Sequence, residues 1–179
     1  MLSTSRTRID TLSTCHADKI LDYYQRNRQR LAPWEPVRGD DFWTLSYWQQ
    51  RAETSQQQFA AGDAFRFVAI NPNTDQIIAV CNFDNIVRGA FQACYLGYSV
   101  DGHYQGQGYM TEVLAATIDY MFTEVGLHRI MANYMPVNQA SGRVLEKLGF
   151  EREGLARHYL KIAGQWQDHI LTAKINDER

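Results

Sequence analysis

The chain has 179 residues, of which 45% are hydrophobic and 21% charged, with a formal net charge of -2 at pH 7. One domain is expected over residues 1–179, burying roughly 70% of the surface its unfolded chain exposes. The charge balance excludes a general nucleic-acid binder, which carries a basic bias, and no apolar run reaches the roughly 18 residues of a membrane span.

In chain order, residues 6–12 read as a short strand and 17–31 as a helix that stops before Pro33. The two prolines of APWEPVRG make 32–39 a loop. A second helix is expected over 41–60, with Asp40 or Asp41 as its N-cap. The period then changes. Residues 65–70, 77–83 and 90–100 read as an antiparallel meander, its first turn at 71–75. A loop over 101–110 leads into a helix over 110–125, whose Val113, Leu114, Ile118, Met121 and Phe122 recur at helical spacing. A strand over 129–134 and a short helix over 140–148, ended by Gly149, follow. Strands over 150–161 and 166–174 meet at Ala163-Gly164. The expected class is α+β, a layered mixed sheet of about seven strands with about four helices.

The cysteines Cys15, Cys81 and Cys94 are odd in number, lack CxxC spacing and fit free thiols in a reducing compartment. The opening MLSTSRTRID has no apolar core of a secretory signal. A cytoplasmic protein is expected. His103 and His128 are lone histidines with structural roles. No His, Cys or acidic residues show metal-ligand spacing, so no metal is expected.

The stretch LGYSVDGHYQGQGYMT joins a strand end, a glycine turn and a helix start. Such a start has about four N–H groups without intrahelical partners and a partial positive charge. Glycines let backbone approach a ligand closely, so the turn suits phosphate. Taken alone, QGQG reads first as a steric turn, and it is neither a Walker loop nor a Rossmann fingerprint. A second helix start lies at Asn138, an N-cap in its plain role, with Ser141 in the first turn. One crossover separates the two starts, which places both at the carboxyl edge of the strands, where ligands bind.

YQGQGYM, HRIMANYMPVNQASGRVLEKLGF and GQWQDHILTA together resemble the GNAT acetyltransferase superfamily, and PWEPVR and CYLGYS resemble its ribosomal-protein-alanine N-acetyltransferases. The resemblance runs from about residue 6 to 173. It implies a GNAT fold, acetyl-CoA as cosubstrate, and a ribosomal protein N-terminus or ribosomal particle as partner. The implied acceptor is the alanine of small-subunit ribosomal protein number five. The family's phosphate loop falls on Gln105, Gly106, Gln107, Gly108, Tyr109 and Met110, with Thr111 behind it. Met110 departs from the usual small residue and must point away from the phosphates. The implied pantetheine site is the splayed strand at Tyr98, Ser99 and Val100, with Asn138 reaching the pantetheine or the acetyl end.

Leu145 stands where many relatives carry a tyrosine acid, and Tyr95 where many carry a glutamate base. The resemblance places Ser141 near the thiolate as proton donor. Tyr95 stays a candidate on the acceptor side with Trp34, Glu35 and Asn82. A strong base matters less for an α-amine, whose pKa is about 7.7–8.0, than for lysine at about 10.4. A water relay to Glu35 or Asp84 is the expected assistance. Two other readings stay open. One is acetylation of a small amine such as an antibiotic or polyamine; the other is a ribosome-assembly binding factor with secondary catalysis.

Overall fold

A computed structural model describes residues 2–176; Met1 and residues 177–179 of the expected domain lie outside the described residues. The strands are β1 (Leu2–Ser3), β2 (Arg8–Thr11), β3 (Phe65–Ile70), β4 (Ile77–Val87), β5 (Ala93–Val100), β6 (Arg129–Met131), β7 (Glu151–Ile162) and β8 (Gln165–Ile175). The helices are α1 (Ala17–Leu31), α2 (Leu45–Ala61), α3 (Tyr109–Thr123) and α4 (Gln139–Lys147). The strands form one sheet in the order β1-β2-β3-β4-β5-β6-β8-β7, antiparallel except for β5 and β6.

Side-chain alternation sorts the core into two layers. Phe65, Phe67 and Ala69 of β3 join Val113, Leu114, Ile118 and Met121 of α3 and Leu145 of α4 on one face. Val68 and Ile70 join Ile20, Tyr23 and Leu31 of α1 and Trp48 and Ala52 of α2 on the other. Stacked Tyr24 and Trp48 rings, 4.9 Å apart, fasten the two helices together.

Several expected boundaries are corrected. The sheet has eight described strands, not about seven, because Leu2–Ser3 pairs with Arg8 and Ile9; its polar surroundings show no alternation. Neither Asp40 nor Asp41 caps α2. Asp40–Trp43 forms its own tight turn, and Thr44 is extended at φ -109° and ψ 149°, its Oγ1 accepting from the N–H of Tyr47. Burial of Phe42, whose carbonyl accepts from Trp48 Nε1 at 2.9 Å, holds that turn apart from the helix. The first strand is shorter than 6–12. β4 continues past Phe83 to Val87 through a bulge, and β5 begins at Ala93 rather than 90, after a loop with Gly89 at φ 70°. β6 ends at Met131, not 134, although Tyr134 makes one bridge to Ile170.

Gly142 shows how α4 is seated. A Cβ there would lie 2.9 Å from two ring carbons and the phenol oxygen of Tyr134. Alanine normally favours a helix interior by about 1 kcal/mol over glycine, but overpacking typically costs about 1–3 kcal/mol. Gly142→Ala is therefore expected to lower the thermal unfolding midpoint. A raised midpoint would show that the ring moves aside freely.

Candidate functional site

β5 pairs with β6 only through Ala93, Cys94 and Tyr95, and β6 then leaves the ladder. Residues 96–100 of β5 thus lack a strand neighbour on that edge. A cleft of about 430 Å³ opens at the splay. It is lined by Tyr98, Ser99 and Val100, by Gln105, Gly106 and Gly108 of the turn, and by Met110 and Thr111 of α3. Asn138 and Ser141 of α4 close one side; Arg30, Trp34 and Glu35 close the other.

The glycine turn has the backbone its sequence suggested. Gly106 and Gly108 sit at φ 70° and 83°, the left-handed region that side chains disfavour, and Gly108 is the N-cap of α3. No side chain caps α3. Its first N–H groups are therefore available to an anion. Met110 is buried and packs in the α3/α4 core layer while also lining the cleft.

The turn is clamped from both sides. Asp101, 1% exposed, accepts from Arg26, from Asn27 Nδ2 at 2.9 Å and from the N–H of His103 at 2.9 Å. Burial alone would raise its pKa, but these donors hold the carboxyl below its ordinary value. On the other side, Arg6 Nη1 donates to the carbonyl of Gln107 at 3.0 Å, and Arg6 Nε donates to Glu112 at 2.8 Å. The Arg6 guanidinium also lies 4.0 Å from the centre of the Tyr109 ring. Against partial burial, bonds from Thr4, Arg6 and Ser5 bring Glu112 down to about 2. Its folded pKa lies below the ordinary 4.5. Its contribution to stability is thus complete above pH 4.5 and lost as pH falls toward 2. The stability difference between the parent protein and Glu112→Gln should be full at pH 6 and shrink steadily below pH 4.5 in urea unfolding. A difference independent of pH would reject this ion pair.

The second helix start is capped by Asn138, whose Oδ1 accepts from the N–H of Ser141 at 3.2 Å. Ser141 Oγ lies 2.7 Å from the phenol oxygen of Tyr98. Glu35 Oε2 accepts from Arg38 Nη2 at 3.1 Å, and the Glu35 carbonyl accepts from the N–H of Ala163 at 2.9 Å. That last bond ties the loop after α1 to the β7–β8 turn. A second hollow of about 300 Å³ lies beyond Glu35, lined by Arg28, Pro36, Val37, Arg38 and Trp43 among others, and shares Leu31 and Glu35 with the cleft.

Five sequence candidates fall outside the cleft lining, one of them Asp84, which pairs with Arg66. Gln107 turns its side chain onto the carbonyl of His103, and Tyr109 packs edge-on to Tyr104. Asn82 and Tyr95 belong to the α1/α2 face of the sheet, with Asn82 opposite Gly97 and Tyr95 opposite Asp84. Ser99 on that same face is bonded through Oγ to Tyr23 at 2.8 Å. The carbonyl of Val100 accepts from Arg30. Arg30, Tyr104, Arg143 and Lys147 line the cleft without having been singled out. Arg143 and Lys147 share one face of α4 by their i, i+4 spacing, a readable signal. Arg30 reaches Val100, and Arg6 reaches Gln107 and Glu112, only through tertiary contacts. Among the described residues, no group of His, Cys, Asp or Glu is arranged to hold a metal, and no helix is long and apolar enough to cross a membrane.

The acetyltransferase (GNAT) domain family matches residues 6–151. The chain is 48% identical over 172 residues to the [ribosomal protein uS5]-alanine N-acetyltransferase of Escherichia coli (strain K12), covering 96% of this chain and 89% of that protein. The crystal structure of ribosomal-protein-S5-alanine acetyltransferase from Vibrio fischeri superposes with a TM-score of 0.96 at 43% identity, covering 99% of this chain and 97% of that one. Mycobacterium smegmatis RimJ in complex with CoA-disulfide superposes with a TM-score of 0.88 at 28% identity, covering 97% and 87%.

Proposed function

This chain belongs to the GNAT acetyltransferase family, and on that premise we propose that it transfers acetyl from acetyl-CoA to the α-amine of an N-terminal alanine, with ribosomal protein uS5 as the acceptor. Residues 1–179 are read as one acetyltransferase domain working in the cytoplasm. The observation that carries the reading is geometric. A glycine turn with two left-handed residues heads α3 and opens into the same cleft as Ser141 and Glu35.

In this reading the pyrophosphate of CoA lies on the N–H groups of the turn and the first residues of α3. Pantetheine runs along the free edge of β5, so the thioester arrives beside Asn138 and Ser141. Arg143 and Lys147 flank the phosphates. The acceptor enters from the α1/α2 side, and its ammonium pairs with Glu35, which Arg38 holds in place. Near neutral pH roughly a tenth or more of an α-amine is already free base. Water or Glu35 can then take the remaining proton without a strong base. The amine forms the C–N bond, main-chain N–H groups of the splayed strand stabilise the oxyanion, the C–S bond breaks, and Ser141 protonates the leaving sulfur.

The hollow beyond Glu35 supports a peptide over a small amine, because it gives the chain after the alanine somewhere to lie. Steady-state acetyl transfer to an Ala-starting peptide, beside a panel of aminoglycosides and polyamines, tests the reading. Turnover on the peptide alone is expected. Turnover on small amines alone would reject the acceptor, and no turnover at all would return the chain to a binding role.

A further inference from the structure

Tyr98 rises from β5 on the α3/α4 face and packs against that core layer. Its phenol oxygen has two neighbours on one residue: Ser141 Oγ at 2.7 Å and the Ser141 carbonyl at 3.2 Å. The shorter distance is ordinary for O–H···O bonding, and the longer one is at its weak end. The Tyr134 ring against Gly142 holds this turn of α4 at that height above the sheet.

A phenol and a serine carry one proton each, so two arrangements exist. If Tyr98 donates to the Ser141 carbonyl, the serine donates to Tyr98 and its proton is turned away from the cleft. If Tyr98 donates to Ser141 Oγ, the serine proton is free to face the cleft. Only the second arrangement can protonate a sulfur lying there. It also places a donor on the serine oxygen as that oxygen becomes negative. Burial raises the phenol pKa further, which keeps Tyr98 a donor rather than a source of protons.

We propose that Tyr98 is the positioning residue for the Ser141 hydroxyl, donating to Oγ so that the serine proton points at the leaving sulfur. This rests on the proposed acetyl transfer. In the step, the C–S bond breaks with its electron pair going to sulfur. The Oγ–H proton moves to sulfur, and Oγ regains a proton from solvent. The phenol keeps its own proton throughout, and the proton lost by the amine balances the one solvent returns.

The test is a double-mutant cycle of Tyr98→Phe and Ser141→Ala, read as kcat and KM for acetyl-CoA with an Ala-starting peptide. Phenylalanine keeps the ring, and the thermal midpoint checks that the fold is intact. Tyr98→Phe is expected to lower kcat about tenfold, a fraction of the full effect of a general acid, with KM for acetyl-CoA within about twofold. In the Ser141→Ala background the same change should cost less than about twofold, since the residue it positions is gone. An unchanged kcat in Tyr98→Phe, or an equal loss in both backgrounds, overturns the proposal while leaving the serine reading intact. Full kcat in Ser141→Ala overturns both. Absence of turnover in the parent protein on any acceptor overturns the acetyl-transfer reading itself.

Discussion

Ser141→Ala should lower kcat by about a hundredfold while leaving KM for acetyl-CoA within about twofold. General acids contribute roughly 10²–10⁴ in rate, and the low end is expected here for a chemical reason. The leaving group is a thiolate, whose conjugate acid resembles a cysteine thiol of pKa about 8.5. It departs with far less help than an alkoxide. The substitution also spares the structure. The α4 start is capped by the Asn138 side chain through the main-chain N–H of Ser141, not by the serine hydroxyl, and alanine suits a helix well. The lost hydroxyl leaves Tyr98 facing the Ser141 carbonyl, which already lies at 3.2 Å. A fall in kcat with an unchanged unfolding midpoint therefore isolates chemistry. A rise in KM with unchanged kcat would instead assign Ser141 to holding the cosubstrate.

What the sequence discloses about this site follows the range of the forces that build it. The turn at Gly106 and Gly108 is legible because its backbone needs, positive φ and no Cβ, are written in the residues themselves. The cap at Asn138 is legible for the same reason: donor and acceptor are three residues apart. Met110 packs with Val113, Leu114 and Ile118, but only the family resemblance, and not helical spacing, turns it away from the phosphates. The clamps are not legible. Arg6 bonds to Glu112 across 106 positions, and Arg30 to Val100 across 70. Nothing local in STSRTRID singles out its first arginine. Asn82 and Tyr95 illustrate a different gap. They share a face through the β4–β5 register, which alternation within either strand does not give, and which face meets the cleft depends on the splay of β5 from β6. Thr44 caps α2 in preference to the two aspartates because a buried aromatic cluster holds Phe42 in a separate turn.

The second large effect is expected at Asp101, which touches no part of the proposed substrates. Asp101→Ala should destabilise the protein by about 3 kcal/mol, since breaking a buried ion pair typically costs about 3–5 kcal/mol and Arg26 keeps its bonds to Asp22 and the carbonyl of Ile77. Cosubstrate binding should weaken as well. Asp101 follows the last residue of β5 and caps the turn that delivers the glycine loop, and Asn27, which it orients, accepts from the N–H of Gly102 at 3.0 Å. Without the carboxylate, three donors around the start of the loop lose a common acceptor. The loop must then be ordered by the ligand itself. Asp101→Asn keeps the volume but replaces an acceptor oxygen by a donor facing Arg26 or His103, so it should recover little. The pH dependence gives the effect its signature. The folded pKa of Asp101 is below the ordinary 3.8, so its stabilisation is complete well above pH 3.8 and is lost as pH falls through the folded value. Urea unfolding at pH 7 should separate parent and Asp101→Ala by the full amount, and the difference should shrink as pH falls below the ordinary 3.8. Calorimetric titration with CoA at pH 7 should show the weaker binding in the same variant. A stable variant with full CoA affinity would mean that the glycine loop is held from the Arg6 side alone.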